Sequence, residues 1–104
     1  MWLAPVQVKI LPVTDRANGY GAEIAAKLEE SGFRVEVDER NEKIGKKIRE
    51  AQLMKVPYML VIGDKDMENA TVTPRHRSKG DLGAMSLPDF TAMIEKERED
   101  RVID

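Results

Sequence analysis

The sequence predicts an α/β domain with a parallel βαβαβ core, two further short strands and three helices. Strand-like and helix-like hydrophobic patterns alternate as far as Ile62, and the connections between them are short. Such alternation favours right-handed crossovers and a parallel sheet. The chain has 104 residues without a linker or repeat, which fits one domain.

The first half of the core is predicted from the spacing of its apolar residues, which changes from that of a strand to that of a helix and back. Residues 6–13 alternate apolar and polar side chains and predict a strand. After a polar turn, apolar residues recur at helical spacing over residues 20–28, and Gly32 is suited to end that helix. Residues 33–37 alternate again, which predicts a second strand.

The second half of the core contains a helix and a buried strand. Residues 42–53 carry an apolar helical stripe, and Asn41 can cap that helix. Residues 58–62 form an unbroken apolar run, which is typical of a central strand covered on both faces.

The remainder of the chain has a different pattern. Residues 64–69 predict a turn, and residues 70–75 and 81–85 predict two short strands, at least one of them antiparallel. A last helix begins near Ser86 and ends in a charged tail. The whole pattern predicts five strands and three helices.

Composition limits the function classes. The absence of cysteine excludes a disulfide scaffold, a thiolate metal site and a cysteine nucleophile. No apolar stretch approaches the roughly 20 residues of a membrane span, so we expect a cytoplasmic protein. The formal net charge of −2 predicts no strong general attraction for nucleic acid.

Positive charge is nevertheless concentrated in two segments. Residues 40–55 carry six bases against two acids, and residues 75–79 carry three bases without an acid, whereas residues 95–104 are acidic. If the first two segments lie on one side, they form a basic platform for phosphates. The alternative is an ordinary solvated helix face.

Motifs for small-molecule chemistry are incomplete. Gly19-Tyr20-Gly21 and Asp38 lie where a dinucleotide fold has its phosphate loop and ribose acid, but the third glycine is missing. Asp15, Asp38 and Asp64 each follow a predicted strand, which is the edge where a phosphoacceptor or metal pocket would lie. His76 is the only histidine, so no catalytic triad or two-histidine metal site is expected.

One long motif indicates a family. The string RNEKIG at residues 40–45, followed by KIREAQL at residues 47–53, resembles the C-terminal anticodon-binding domain of threonyl-tRNA synthetase, a class II synthetase. Histidyl, glycyl and prolyl enzymes share that domain fold, but this string is characteristic of the threonyl branch. The segments that resemble the family are residues 2–7, 38–53, 55–65, 80–83 and Met85.

The resemblance implies a three-layer mixed five-stranded sheet with three helices. It also implies a function for the domain, which is to dock the anticodon loop of threonine tRNA while a separate catalytic domain charges the tRNA with threonine, using ATP. The resemblance further implies that ATP, Mg²⁺ and Zn²⁺ belong to the parent enzyme, that the parent is a homodimer, and that this domain is a noncatalytic monomer without a cofactor or metal.

Five residues are carried over from the family as anticodon or tRNA contacts. The resemblance places Asn41 near an anticodon base and Arg75 at the middle guanine, whose O6 and N7 suit a guanidinium fork. Asp66 stands where the family usually has glutamate, one methylene longer. Arg49 and Lys43 are expected at the RNA backbone or in the scaffold. The alternatives are a helix cap for Asn41, a turn residue for Asp66 and an edge-strand charge for Arg75.

We therefore expect residues 1–104 to be one anticodon-binding domain, a fragment of a larger synthetase that begins with an added Met1. The alternative is a stand-alone, flavodoxin-like α/β domain that binds a small molecule or accepts a phosphoryl group. Pro74, beside Arg75, removes one ladder hydrogen bond and predicts that its strand lies at a sheet edge.

Overall fold

A computed structural model describes residues 6–40, 42–54, 56–76 and 80–100, and the side chains of all of these except residues 97–100. As far as Ile62, strands and helices alternate in the order that the sequence predicts, with a 3-10 turn at Asp15–Ala17 before the first helix. The strands are β1 (Val8–Pro12), β2 (Val35–Val37), β3 (Tyr58–Ile62), β4 (Thr71–His76), β5 (Gly80–Asp81) and β6 (Met85–Ser86). The helices are α1 (Asn18–Glu30), α2 (Ile44–Leu53), α3 (Asp64–Asn69) and α4 (Leu87–Asp100).

The sheet is mixed, as predicted. Its strand order is β2-β1-β3-β4-β5, and β6 pairs with β4 beside β5. β1 runs parallel to both β2 and β3, whereas β4 is antiparallel to β3, β5 and β6. The parallel βαβαβ core and the antiparallel character of the last strands are thereby confirmed.

Helices cover the two faces of the sheet unequally. On one face, α1 and α4 pack with alternate residues of β1, β3 and β4 into the larger apolar cluster. On the other face, α2 packs Ala51 against Leu11 of β1 and Met59 of β3. β1 and β3 are thus covered on both sides, which explains why all residues of β1 and four of the five in β3 are buried.

Residues 64–69 form a helix, so the prediction of a turn there is wrong. The segment is too short and too polar to show a helical stripe, but two acids, Asp64 and Asp66, lie in its first turn, where the helix dipole favours negative charge. Ala70 ends the helix in the left-handed conformation, with φ of 54°. The described residues therefore contain four α-helices instead of three.

Two further boundaries differ from the prediction. The predicted strand over residues 81–85 is divided into β5 and β6, with Gly83 between them at a positive φ of 82°. α2 begins at Ile44 and has Lys43 at its N-cap position, so the cap is not at Asn41.

Pro74 lies inside the sheet and not on an edge strand. β4 has β3 on one side, where Pro74 is opposite Leu60, and β5 and β6 on the other. Within the described residues, the part of β4 after Pro74 pairs with β5 and the part before it pairs with β6. The carbonyl of Pro74 itself accepts a 2.9 Å hydrogen bond from the N–H of Leu82. A proline is tolerated because the ladder is interrupted at this point.

We predict that Leu60→Ala lowers the free energy of unfolding by about 2–5 kcal/mol, because Leu60 is fully buried in the central strand. Leu53→Ala is the matched control, since Leu53 is 76% exposed at the end of α2, and its effect should stay within about 0.5 kcal/mol. Urea unfolding of both variants measures the difference. Equal losses would contradict the placement of the core.

Candidate nucleic-acid interface

One face of β4 is partly open. Val72 and Pro74 are buried, whereas Thr71, Thr73 and Arg75, which alternate with them along the strand, are only half-buried. Alternate residues of a strand point to opposite faces. β4 therefore packs one face on the core and presents two hydroxyls and a guanidinium on the other.

Arg75 lies on the same side of the sheet as α2. Its partners across the strands are Met59 and Asp81, and Met59 packs against α2. Directly opposed residues share a face, so a row of side chains crosses the sheet from β2 to β5. Its members are Glu36, Lys9, Met59, Arg75 and Asp81.

Asp66 stabilises the corner that leads into β4. Its Oδ2 accepts from the N–H of Gly63 at 3.0 Å, and its Oδ1 accepts from the hydroxyls of Thr71 at 2.9 Å and Thr73 at 3.2 Å. The residue is only 9% exposed. Asp66 therefore fixes the first turn of α3 and orients two hydroxyls on the open face of β4.

The outer side of α2 is basic. Lys43, Lys46 and Arg49 are exposed and lie three residues apart, which places them on one side of the helix. Lys46 forms an ion pair with Glu42 at 3.4 Å. We call Lys43, Lys46 and Arg49 the basic stripe; it can attract phosphates on the side of the sheet that carries Arg75.

A second group of charges in the same segment is used by the fold. Arg40 donates from Nε to Asp38 Oδ1 at 2.8 Å and from Nη2 to Asp38 Oδ2 at 2.7 Å, and it also bonds Glu50 of α2. Lys47 is only 4% exposed and donates to the carbonyls of Pro12 at 3.0 Å and Asp38 at 3.1 Å. We call Asp38, Arg40, Lys47 and Glu50 the Arg40 cluster.

The electrostatics of the cluster are dominated by Arg40. Its side-chain hydrogen bonds lower the pKa of Asp38 below the ordinary value, although burial of the carboxyl opposes the shift. They lower the pKa of Glu50 as well. Our interpretation of the sequence missed this cluster: the spacing Asp38-Glu39-Arg40 permits the pair, but its link to α2 depends on the packed fold.

The other predicted positions are distributed as follows. Asn41 lies outside the described residues, as do Arg77 and Lys79 of the second basic segment. Asp15 is exposed, and Asp64 pairs with Arg16 at 2.8 Å. The ring of His76 contacts that of Tyr58 edge-on, with centroids 4.9 Å apart.

Two kinds of site are absent from the parts of the chain that the structure describes, a clustered metal site and a membrane-spanning helix. No group of three or more His, Cys, Asp or Glu side chains there could hold a metal ion. No helix there is both long and apolar enough to cross a membrane.

Comparison with known proteins assigns the chain to a family. Residues 7–97 match the family model described as "Anticodon binding domain". The chain belongs to the anticodon-binding domain family. This anticodon-binding domain is 61% identical over 100 residues to a threonine–tRNA ligase of Clostridium novyi, and 65% identical over 94 residues to one of Acetivibrio thermocellus. Those matches cover 96% and 90% of the chain.

The chain spans 15–16% of the length of these curated relatives. Among solved structures, it resembles the RNA-binding domain of threonyl-tRNA synthetase from Cryptosporidium parvum Iowa II, with a TM-score of 0.86 and 31% identity. That match covers 91% of this chain and 24% of the other. The resemblance to the threonyl family and the predicted fold class are confirmed, and the alternative of a stand-alone flavodoxin-like domain finds no support.

We predict that Asp66→Ala lowers the free energy of unfolding by about 2 kcal/mol or more, because it leaves two hydroxyls and one N–H without their acceptor. Asp64→Ala removes an acid from the same helical turn, but its ion pair with Arg16 is exposed and worth at most about 1 kcal/mol. Urea titrations compare the two variants. A larger loss for Asp64→Ala would refute the role given to Asp66.

A pH dependence follows from the pKa of Asp38. The pKa of Asp38 in the folded protein lies below its value of about 3.9 in the unfolded chain. The hydrogen bonds between Arg40 and the ionised carboxylate therefore stabilise the fold above that pH, and this stabilisation is lost as the pH falls through the folded pKa. Wild type should therefore exceed Arg40→Met in stability near neutral pH, and the difference should shrink in acid. Urea midpoints from about pH 7 to about pH 3 measure it; a difference that grows in acid would contradict the assignment.

Proposed function

We propose that this domain recognises the anticodon loop of threonine tRNA for a threonine–tRNA ligase. The observation that carries the proposal is the placement of Arg75, half-buried on the open face of β4, on the side of the sheet that carries the basic stripe. Its support is the high identity of nearly the whole chain to proteins named threonine–tRNA ligase.

The chemistry required is readout of single-stranded RNA, in which proteins hydrogen-bond the edges of unstacked bases and hold the backbone with basic groups. The Arg75 guanidinium would donate to O6 and N7 of the middle guanine of the anticodon. Asn41 would contact another anticodon base, because its amide both donates and accepts hydrogen bonds. Both side chains would read identity, whereas phosphate contacts would only hold the loop.

Asp66 belongs to the proposed site in two ways. Its carboxylate already accepts three hydrogen bonds within the fold. A carboxylate has about four lone-pair sites, so one remains for a base amine. In addition, Asp66 holds the hydroxyl of Thr73 on the face that carries Arg75.

The basic stripe would supply the sequence-independent part of binding. Lys43 and Arg49 are exposed, and among the described residues neither forms an ion pair. Their cations can therefore approach backbone phosphates directly. Few such contacts are needed if other domains hold most of the tRNA. This accounts for a nucleic-acid-binding domain with a net charge of −2.

We assign catalysis to the remainder of a larger protein. The chain aligns with about 16% of the length of relatives named threonine–tRNA ligase. In this proposal, residues 1–104 are one noncatalytic and monomeric domain, and the parent is a cytoplasmic homodimer that charges threonine tRNA using ATP. Mg²⁺ and Zn²⁺ would bind to the parent outside this domain.

We predict that the domain binds an RNA hairpin with a threonine anticodon more tightly than the same hairpin with the middle guanine replaced by adenine. Arg75→Ala should remove about 1–3 kcal/mol of this discrimination, because the guanidinium fork fits guanine. The measurement is the dissociation constant of each hairpin over a range of salt concentrations.

The matched control is Lys46→Ala in the basic stripe. If Lys46 touches phosphate only, its loss weakens both hairpins alike and lowers the salt slope by about one. Equal binding of the two hairpins by wild type would refute specific recognition. Unchanged discrimination in Arg75→Ala would refute the base contact alone.

A further inference from the structure

We propose that Thr73 is a specificity-determining residue of the anticodon site: its hydroxyl accepts a hydrogen bond from the N2 amine of the guanine that Arg75 reads. This inference rests on the proposed function and adds a residue to it. Thr73 and Arg75 lie two positions apart on β4, so both side chains point to its open face. Their Cα atoms are about 7 Å apart along the strand.

The first step of the argument is the direction of the hydrogen bond between Thr73 and Asp66. A carboxylate accepts hydrogen bonds, whereas a hydroxyl can donate one and accept two. The 3.2 Å contact between Thr73 Oγ1 and Asp66 Oδ1 therefore uses the hydroxyl proton of Thr73. The lone pairs of the Thr73 oxygen are what remains for a ligand, so this hydroxyl acts as an acceptor.

The second step is the anchoring of Asp66 itself. Its Oδ2 accepts from the N–H of Gly63 at 3.0 Å, and its Oδ1 also accepts from the hydroxyl of Thr71 at 2.9 Å. Asp66 is only 9% exposed. The carboxylate that holds the Thr73 proton is thus fixed at both of its oxygens. The orientation of the Thr73 hydroxyl is therefore set by the fold before a ligand arrives.

The third step is the accessibility of Thr73. Its neighbours Val72 and Pro74 point into the core and are buried, whereas Thr73 is half-buried on the other face of β4. Among the described residues, the bond to Asp66 is the one hydrogen bond that involves the Thr73 hydroxyl. Its lone pairs can therefore meet a ligand on the open face.

The open face of β4 thus offers two groups of opposite polarity. The guanidinium of Arg75 only donates hydrogen bonds, and the hydroxyl of Thr73 accepts them. Guanine has its acceptors O6 and N7 on one edge, and its N2 amine lies at the opposite end of the ring system. A guanine whose acceptors face Arg75 can therefore direct its amine to Thr73. Phosphate oxygens only accept, so Thr73 adds selectivity and not general affinity for RNA.

Asp81 is the other acceptor beside Arg75, and it is less suited to a fixed contact with a base. It is exposed on β5 directly opposite Arg75, and its Oδ1 already accepts from the N–H of Gly83 at 2.8 Å. Its negative charge also attracts the guanidinium that must donate to the guanine. The neutral hydroxyl of Thr73 accepts from the amine without competing for Arg75.

The test uses hairpins that differ by one group of the middle anticodon base. Inosine lacks only the N2 amine of guanine, and 7-deazaguanine lacks only N7. We expect wild type to bind the inosine hairpin roughly tenfold more weakly than the guanine hairpin, as for the loss of one hydrogen bond. Thr73→Val, which replaces the hydroxyl by a methyl group, should bind both hairpins with nearly equal affinity. Thr73→Ser keeps the hydroxyl and should retain the difference.

The matched control is Thr71→Val. It removes the other hydroxyl from the same oxygen of Asp66, so it disturbs that carboxylate in the same way but leaves Thr73 in place. Thr71→Val and Asp81→Asn should both keep the preference for guanine over inosine. The weaker binding of the 7-deazaguanine hairpin reports the contact of Arg75 with N7, so it should persist in Thr73→Val and disappear in Arg75→Ala.

The outcomes distinguish the inference from the function on which it rests. If wild type does not prefer guanine to adenine at the middle position, the proposed function is wrong. If wild type prefers guanine to adenine but binds the inosine hairpin equally well, the Thr73 contact is overturned and the proposed function stands. This comparison requires no variant.

Three results with the variants would also overturn the role of Thr73. The first is a preference for guanine over inosine that persists in Thr73→Val, because another group then accepts from the amine. The second is an equal loss of that preference in Thr71→Val, because both variants then act through Asp66. The third is a uniform weakening of all hairpins by Thr73→Val. Circular dichroism and urea unfolding show that each variant is folded under the binding conditions.

Discussion

The parallel pairing of β1 with β3 is the constraint on which the rest of the domain depends. Both strands are buried on two faces, so helices must cover each side of the sheet. α1 and α4 take one side and α2 takes part of the other. β4 is then the strand whose second face is left partly open, and Arg75 lies on that face. The position of the proposed base-reading residue is thus a consequence of how the core is covered.

The positive charges of residues 40–55 have two different roles, because some are bound within the fold and others lie on the outer side of α2. Arg40 and Lys47 are bound by carboxylates and carbonyls, and they connect α2 to the ends of β1 and β2. Lys43, Lys46 and Arg49 remain on the outer side of the helix. The basic platform is therefore smaller than the count of bases suggests. The proposed site would therefore gain its selectivity from well-placed side chains such as Arg75 and not from a high density of charge.

Local patterns were sufficient for the long elements but not for α3. Strands β1, β2 and β3 and helices α1, α2 and α4 carry apolar residues at the spacing of their structure, and each is predicted from its own residues. α3 is stabilised by Asp66, whose partners include Thr71 and Thr73 on the next strand. The six residues of α3, five of them polar, contain no periodic signal, so the pattern indicated a turn. The division of the late strand into β5 and β6 similarly depends on pairing with β4.

By itself, the sequence determined the family, the order of the core elements and the exclusion of cysteine chemistry, because these follow from a long motif, local periodicity and composition. It also showed the basic character of α2, and it predicts Arg75 as a candidate base contact. Only the tertiary structure decided which basic side chains are exposed. Lys46 and Lys47 are adjacent and chemically identical, yet one is exposed and the other is buried on two carbonyls. That difference arises from the packing of α2 over strand ends distant in the chain, which no local pattern records.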